Sequence, residues 1–243
     1  MPNKTVLITG AASRIGAEIA RALHADNMDV IIHYNRSTTQ ALALVDELNG
    51  ARLHSALAIQ ADLLDDAAFA TIITTAVEFK QRLDVLINNA SSFYATPVAS
   101  TTAEQWQDLI GTNMKAPFFL SQQAAPYLQT ENGCIINITD IYAERPLHNF
   151  PVYSAAKAGL GMLTRALARE LAPSIRVNAI APGATLWPEG MADASKDKII
   201  SRTALGRSGE PADIARAVRF LIRDAGYMTG QILTIDGGRS LFT

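Results

Sequence analysis

Short apolar runs alternate with longer segments of helical periodicity along this sequence, and that alternation limits the folds the chain can adopt. The apolar runs are continuous, which is typical of strands covered on both faces of a sheet. We predict strands at Thr5–Thr9, Val30–His33, Leu57–Gln60, Val85–Asn88, Gly133–Ile138, Arg176–Ala181 and Gln231–Ile235. We predict helices at Ile15–Asp26, Thr38–Asn49, Asp65–Lys80, Ala103–Gln129, Pro151–Ala172 and Pro211–Arg223. Because this order favours parallel strands joined by right-handed crossovers, the predicted fold class is α/β, a doubly wound, mostly parallel seven-stranded sheet with helices on both faces.

Composition excludes several classes of protein. The chain has 243 residues, is 49% hydrophobic and carries a net charge of −2, so neither a disordered chain nor a basic partner for nucleic acid or membrane is expected. No apolar stretch of about 18 residues offers a membrane span. One cysteine and four histidines without ligand spacing predict neither a disulfide framework nor a metal site. Since only four residues precede the first apolar run, with no room for a signal peptide, we expect a soluble, cytoplasmic protein.

The organisation predicts one domain over residues 1–243, without a linker or an internal repeat. The least regular segment is 184–210, which mixes Pro, Gly, Asp, Lys and Ser after the sixth predicted strand. A loop of that length inside a compact domain is usually functional.

The turn after the first strand has features of a dinucleotide site. Residues 9–16 read TGAASRIG and open a helix. Glycine at Gly10 lets the chain turn tightly and a pyrophosphate approach the backbone, and the helix N-terminus offers N–H groups and a positive dipole end. Taken alone the signal is weak, since a structural strand-to-helix turn meets the Gly10–Gly16 spacing and Arg14 stands where the strict fingerprint has glycine.

The end of the second strand indicates which dinucleotide. A site specific for NAD would carry Asp or Glu there for the ribose diol. This sequence instead has no acidic residue and offers His33, Arg36 and Ser37, donors suited to a 2′-phosphate. The prediction is NADPH, with a solvated basic turn as the alternative.

Tyr153 and Lys157 are four residues apart and therefore share one face of a predicted helix. A tyrosine is a poor acid–base group at neutral pH, but a neighbouring ammonium lowers its pKa and makes proton transfer feasible. The pair is common in helices, so its meaning depends on the surrounding motifs.

Those motifs resemble the short-chain dehydrogenase/reductase superfamily. TGAASRIG, Asn88-Asn89-Ala90 after the fourth strand, Asn113, Tyr153 with Lys157, and RVNAIAPG at 176–183 occur in the order of that family. The similarity covers essentially the whole chain, to Thr229-Gly230 and Asp236-Gly237-Gly238. It implies a Rossmann-type fold, an oxidoreductase activity and, as in many relatives, a homotetramer.

Within that superfamily the sequence looks most like a pteridine reductase. Arg14 replaces the middle glycine, Ser91-Ser92-Phe93-Tyr94 follows Asn89-Ala90 where most relatives have glycine, and Asp140 stands thirteen residues before Tyr153 where the typical enzyme has serine. The stretch DIYAERPL at 140–147 is also similar to that branch. A pterin is flat and electron-poor, so an aromatic ring such as Phe93 could stack on it.

The resemblance implies NADPH-dependent reduction of a dihydropterin to a tetrahydropterin, with oxidised pterins and dihydrofolate as candidate additional substrates. The implied catalytic residues are Asp140, Tyr153, Lys157 and Asn113. The implied substrate-binding residues are Arg14, Ser91, Phe93, Asp140 and Tyr153, with 184–210 as a substrate-covering loop. The implied cofactor-binding residues are Gly10, Arg14, Ile15, Gly16, His33, Tyr34, Asn35, Arg36, Ser37, Asp62, Leu63, Asn89, Ala90, Ser91, Tyr153, Lys157, Pro182, Gly183, Thr185 and Leu186.

Two alternative functions stay open. An NADPH-dependent carbonyl reductase, such as a 3-oxoacyl-thioester reductase, is abundant on this scaffold, and a fold does not fix a function. Asp140 and the Phe93-Tyr94 pair count against that alternative. A non-catalytic NADP sensor is the second, and it has no chemical need for Asn113, Tyr153 and Lys157 together.

Overall fold

A computed structural model describes residues 3–187 and 190–242. Its strands are β1 Thr5–Ile8, β2 Asp29–Tyr34, β3 Ala56–Gln60, β4 Val85–Asn88, β5 Cys134–Ile138, β6 Arg176–Pro182 and β7 Ile232–Ile235. Its helices are α1 Arg14–Ala25, α2 Thr38–Ala51, α3 Ala68–Lys80, α4 Ala103–Ile110, α5 Ala116–Thr130, α6 Pro151–Leu171, α7 Asp193–Ile200 and α8 Pro211–Arg223. The predicted strands are all present, with ends that differ by a residue or so.

The seven strands form one parallel sheet in the order β3-β2-β1-β4-β5-β6-β7. Successive residues of β1 divide between two buried layers. Val6 and Ile8 belong to the layer with α1, α2 and α8, whereas Leu7 belongs to the layer with α3, α5 and α6. Both faces of the sheet are therefore covered, which confirms the α/β doubly wound prediction and explains why the strands read as continuous apolar runs.

The helix predicted at Ala103–Gln129 is not continuous. A π-helical turn, Gly111–Lys115, separates α4 from α5. The side chain of Asn113 donates to the Leu109 carbonyl and so competes with the helical backbone for that acceptor. Pro117 has no N–H to donate to the carbonyl four residues earlier, that of Asn113. These two side chains explain an interruption that the apolar periodicity does not reveal.

The segment 184–210 is not one irregular loop, because it contains α7. The prediction was wrong there since α7 buries none of its residues and so has no apolar face to give a periodic pattern. Pro188 and Glu189, within the expected covering segment, lie outside the described residues. No helix in the described parts of the chain has the length and apolar character needed to cross a membrane.

Candidate active site

The predicted site residues gather at the carboxyl ends of the central strands. In the sheet, β1 lies between β2 and β4. The strands β1 to β3 follow one another in one direction and β4 to β7 in the other, so the strand order reverses between β1 and β4. Such a reversal leaves a crevice outside the sheet where ligands bind in open α/β folds. Gly10 follows β1 and Asn89 follows β4, so both lie at this crevice.

Asn89 joins the turn after β1 to the end of β4. Its side-chain amide donates to the carbonyls of Thr9 and Gly10, at 2.8 and 3.0 Å. The Thr9 hydroxyl accepts in return from the backbone N–H groups of Asn89 and Ala90, at 2.9 and 3.0 Å. Gly10 has a φ of 61°, and a Cβ there would lie 2.8 Å from Ala90 Cα. The turn thus requires glycine for its backbone conformation and for its close contact with the β4 exit.

Arg14 begins α1 in an unusual conformation. It is exposed and has a φ of 57°, in the left-handed region that favours glycine. Ser13 precedes it as the N-cap, but the Ser13 side chain makes no capping hydrogen bond. The first turn of α1 therefore keeps N–H groups available for an anionic group, with a guanidinium beside them.

The structure corrects the role that the sequence predicted for His33, near the end of β2. His33 is buried, its Nδ1 accepts from the Gly10 N–H at 3.3 Å, and its Nε2 lies 3.2 Å from the Ala61 carbonyl. Burial lowers the pKa of His33 to about 4, so the ring is neutral and Nε2 donates to Ala61. Because both ring nitrogens make hydrogen bonds within the fold, His33 does not fit the role of hydrogen-bond donor to a 2′-phosphate. It instead stabilises the Gly10 turn. Sequence could not show this, because a histidine that ends a strand can point into the fold or out of it.

The remaining cofactor candidates differ in exposure. Arg36 and Asn35 are exposed and Ser37 is half-buried, so their side chains are accessible at the end of β2. Tyr34 and Leu63 are packed in the two core layers and offer no accessible side chain. Asp62 is exposed and accepts from the Leu64 N–H. Pro182, the last residue of β6, is buried. The others lie in the first turn of α1 or after β6 and are half-buried: Ile15, Gly183, Thr185 and Leu186.

Tyr153 and Asp140 are directly paired. The Tyr153 hydroxyl donates to Asp140 Oδ2 at 2.7 Å, and Asp140 Oδ1 accepts from the Tyr142 N–H at 2.9 Å. Burial raises the pKa of Asp140, although these hydrogen bonds and Lys157 act in the opposite direction. Burial and the Asp140 carboxyl raise the pKa of Tyr153 well above its usual value. The expectation that Lys157 lowers the pKa of Tyr153 is therefore not met, because burial, followed by Asp140, raises this pKa.

Lys157 lies one helical turn from Tyr153 and is buried, with 2% of its surface exposed. Its Nζ donates to the Ile138 carbonyl at 2.9 Å and lies 5.7 Å from the centre of the Tyr153 ring. Burial lowers the pKa of Lys157 to about 8, with Asp140 acting in the opposite direction. An ammonium has three donors, and the described residues provide an acceptor for one of them.

Asn113 connects the π-helical turn to the segment after β4. It donates to the carbonyls of Ser92 and Leu109, both at 2.9 Å, and its Oδ1 accepts from the Ser91 hydroxyl at 2.7 Å. These hydrogen bonds hold Ser91 in place, and none of them goes to Lys157.

Phe93 lies over Tyr153. The two ring centres are 4.8 Å apart in an edge-to-face arrangement, and 45% of the Phe93 surface is exposed. Its ring is also stacked on Phe150, at 4.7 Å and 18°. Sequence reasoning missed Phe150, and the available signal was only its position three residues before Tyr153. The arrangement provides an open aromatic surface beside an acid–base pair.

The residues present fit a nicotinamide dinucleotide phosphate. The glycine turn and the uncapped start of α1 could hold the pyrophosphate. Arg36 is exposed and forms no ion pair with any residue in 3–187 or 190–242, so it could hold a 2′-phosphate. Lys157 retains donors for ribose hydroxyls. In the described ranges no three His, Cys, Asp or Glu side chains cluster in a way that could hold a metal ion.

Comparison with known proteins finds a matching family and relatives that align with nearly the whole chain. The family described as Enoyl-(Acyl carrier protein) reductase matches residues 10–240. A 3-oxoacyl-(acyl-carrier-protein) reductase of Staphylococcus epidermidis is 36% identical over 97% of this chain and 98% of the relative. Pteridine reductase 1 of Leishmania tarentolae is 34% identical over 97% and 96%, respectively. A 3beta-hydroxysteroid dehydrogenase of Eggerthella lenta is also 34% identical, over 100% and 95%.

These relatives act on different compounds at similar identity, so identity alone does not select a substrate. The matched range nevertheless contains the glycine turn, Asn113, Asp140, Tyr153 and Lys157. The chain belongs to the short-chain dehydrogenase/reductase family of oxidoreductases.

Proposed function

We propose that this protein is an NADPH-dependent reductase of pterins that converts a dihydropterin to a tetrahydropterin. The observation that carries the proposal is the hydrogen bond between Tyr153 and Asp140. A pterin C=N bond needs hydride at carbon and a proton at nitrogen, and a half-buried carboxyl whose pKa is raised by desolvation is a suitable proton reservoir. Oxidised pterins and dihydrofolate are candidate further substrates.

NADPH, when bound, supplies the hydride. Tyr153 delivers the proton to the ring nitrogen, and a protonated Asp140 returns a proton to the phenolic oxygen over the 2.7 Å contact. The buried Lys157 ammonium stabilises negative charge that develops on that oxygen. One dihydropterin, one NADPH and one proton then give one tetrahydropterin and one NADP⁺.

The aromatic surface supports a flat substrate. Phe93 is backed by Phe150 on one face and meets Tyr153 by its edge, so a stacked heteroaromatic ring would lie next to the proton donor. Ser91, which follows β4, and Arg14, which begins α1, are exposed, and they offer a hydroxyl oxygen and a guanidinium for the polar edge of a pterin.

The second candidate is an NADPH-dependent reductase of a 3-oxoacyl thioester. The similarity to the Staphylococcus epidermidis reductase, at 36% identity, favours it to the same degree as the pteridine reductase similarity favours the first. A linear thioester has no evident use for the aromatic surface or for a carboxyl paired with Tyr153.

One assay separates the two. NADPH oxidation is followed with dihydrobiopterin, dihydromonapterin, dihydrofolate and acetoacetyl-CoA in parallel, with NADH as the alternative donor. We expect turnover with at least one pterin and weak or no turnover with the thioester. Turnover confined to the thioester would overturn the proposal.

We further propose that the protein is a homotetramer. The outer face of α6 exposes small residues, Ala155 and Ala158, beside Met162, which is 61% exposed. Such a face permits close packing against a second helix. Light scattering after size exclusion would test it, and either a monomer or a dimer at assay concentration would contradict it.

A further inference from the structure

Asp108, on α4, contacts the segment that carries Phe93. Its Oδ1 accepts from the Ser92 hydroxyl at 3.0 Å and its Oδ2 accepts from the Tyr94 hydroxyl at 2.8 Å. Thr112, one turn further on, donates to the same Oδ1 at 3.4 Å. One carboxyl therefore holds the residues immediately before and after Phe93.

A second attachment lies next to the first. Asn113 donates to the Ser92 carbonyl and accepts from the Ser91 hydroxyl, at 2.9 and 2.7 Å. The Asn113 contacts hold the start of the segment, whereas the Asp108 contacts hold Ser92 and Tyr94 by their side chains. Without Asp108, the Tyr94 hydroxyl would keep only a 3.3 Å hydrogen bond to the Gln105 carbonyl, although the Tyr94 ring also packs against the cluster of Leu109, Val152 and Tyr153.

These attachments fix the direction of Phe93. Ser92 and Tyr94 are bonded to Asp108 on α4, and Phe93 between them stacks on Phe150 and lies against Tyr153. The Phe93 ring is nearly half exposed, so burial in the core does not hold it in place. A stacking surface that is fixed before the ligand arrives binds more tightly, because less conformational freedom is lost on binding.

We propose that Asp108 is a positioning residue that orients Phe93 through Ser92 and Tyr94 and thereby sets the affinity for a flat heteroaromatic substrate. The substrate class rests on the function proposed above, whereas the positioning itself does not. The described hydrogen bonds of Asp108 go to Ser92, Tyr94 and Thr112 and not to Tyr153 or Asp140, so we assign Asp108 no part in proton transfer. Burial and the hydrogen bond to Asp108 raise the pKa of Tyr94 to about 12, so this phenol remains a donor throughout the neutral range.

The test compares Asp108→Ala, Asp108→Asn and Tyr94→Phe with a matched control, Asp66→Asn. Asp66 pairs with Lys115 at the far end of the π-helical turn and is exposed, so its variant removes a carboxylate without touching the Phe93 segment. The readouts are kcat and KM for dihydrobiopterin, KM for NADPH, and hydrogen exchange of the backbone amides of residues 91–95.

We expect Asp108→Ala to raise the KM for dihydrobiopterin about tenfold or more and to leave kcat within about threefold, because the two hydrogen bonds that hold Ser92 and Tyr94 are lost away from the reacting atoms. The KM for NADPH stays unchanged and exchange at 91–95 accelerates. Asp108→Asn, which keeps an acceptor oxygen, should recover part of the affinity. Tyr94→Phe should show a smaller rise, and Asp66→Asn should behave as the wild type.

An unchanged dihydrobiopterin KM in Asp108→Ala would overturn the proposal. So would equal losses in kcat and in NADPH affinity, since these would indicate a general defect in folding. If the wild type reduces no pterin, the proposed function fails, and amide exchange then decides the positioning. Faster exchange confined to 91–95 in Asp108→Ala would support it, and unchanged exchange would contradict it.

Discussion

The phenol of Tyr153 and the carboxyl of Asp140 are joined by a hydrogen bond of 2.7 Å, and burial raises the pKa of both groups. A pair of this kind keeps a transferable proton closer to neutral pH than an isolated carboxyl does. The fold assembles it from two elements, since Asp140 follows β5 and Tyr153 lies in the first turn of α6.

Replacing Asp140 with Asn should lower kcat for dihydropterin by about 10²-fold, because Asn can still accept from Tyr153 but cannot return a proton. The wild-type kcat should fall as pH rises through the raised pKa of Asp140, since the protonated form is the active one. This decrease of kcat at higher pH should be absent from the pH profile of Asp140→Asn. Identical profiles for the two proteins would exclude Asp140 as the reservoir.

Tyr153→Phe should reduce turnover by about 10³-fold while the NADPH dissociation constant changes less than about threefold. The variant keeps the ring against Phe93 and removes the hydroxyl, whose partner in the structure is Asp140. Stopped-flow turnover and fluorescence titration with NADPH would measure the two quantities. Retained turnover would show that another group supplies the proton.

Arg36→Ala should raise the KM for NADPH about tenfold and leave the KM for NADH nearly unchanged, because Arg36 is the exposed cation at the end of β2. Arg36→Asp should shift the preference toward NADH, since a carboxylate can accept from a ribose diol and repels a phosphate. Lys4→Ala is the matched control, as it removes an exposed positive charge just before β1, at the opposite end of the strand from the site. A cofactor preference that stays constant in both Arg36 variants would contradict the assignment.

His33 should make the fold less stable in acid. Its pKa is about 4 in the folded protein, whereas an unperturbed histidine has a pKa of 6.5, so the unfolded chain binds the proton more readily between these pH values. The free energy of unfolding is therefore intact above pH 6.5 and decreases as pH falls, by about 3 kcal/mol near pH 4. His33→Gln keeps a donor for the Ala61 carbonyl but does not titrate.

Urea unfolding of the wild type and His33→Gln at pH 7.5 and 4.5 would check this prediction. We expect the variant to be less stable at pH 7.5, because it loses the acceptor for the Gly10 N–H, and the two stabilities to converge at pH 4.5. The buried His24, whose pKa is also lowered, contributes equally to both proteins. Parallel pH dependences would show that His33 does not titrate in this range.

Local sequence signals predicted the sheet well and selected side chains that the fold brings together. The strands are continuous apolar runs, and the spacing of Tyr153 and Lys157 places both on the inner face of α6. The π-helical turn was beyond prediction, because the competition of Asn113 for the Leu109 carbonyl leaves the apolar pattern unchanged. Helix α7 was missed because it has no buried face and therefore no apolar periodicity in the sequence.

The direction in which a side chain points was the second feature that the sequence could not predict. His33 was expected to face a phosphate, but the structure turns it inward between Gly10 and Ala61. Asp108 and Phe150 have no motif of their own, and their roles depend on where the chain places the Phe93 segment. Such contacts join residues distant in sequence, so periodicity and spacing carry no information about them.

Gly16→Ala and Gly50→Ala form a matched pair of variants, one at a crowded position and one at an open position. A Cβ on Gly16 would lie 2.6 Å from the Gly10 carbonyl oxygen and 2.8 Å from Ala11 Cα, so the turn that would hold the pyrophosphate must move. We expect Gly16→Ala to destabilise the fold by about 1–3 kcal/mol and to raise the KM for NADPH severalfold. A Cβ on Gly50, near the end of α2, would meet no atom within 4 Å, so Gly50→Ala should stabilise by about 0.5–1 kcal/mol and leave kinetics unchanged. Urea unfolding and NADPH titration of both variants would measure these effects, and a Gly16→Ala protein with wild-type stability and NADPH affinity would show that the turn tolerates the methyl group.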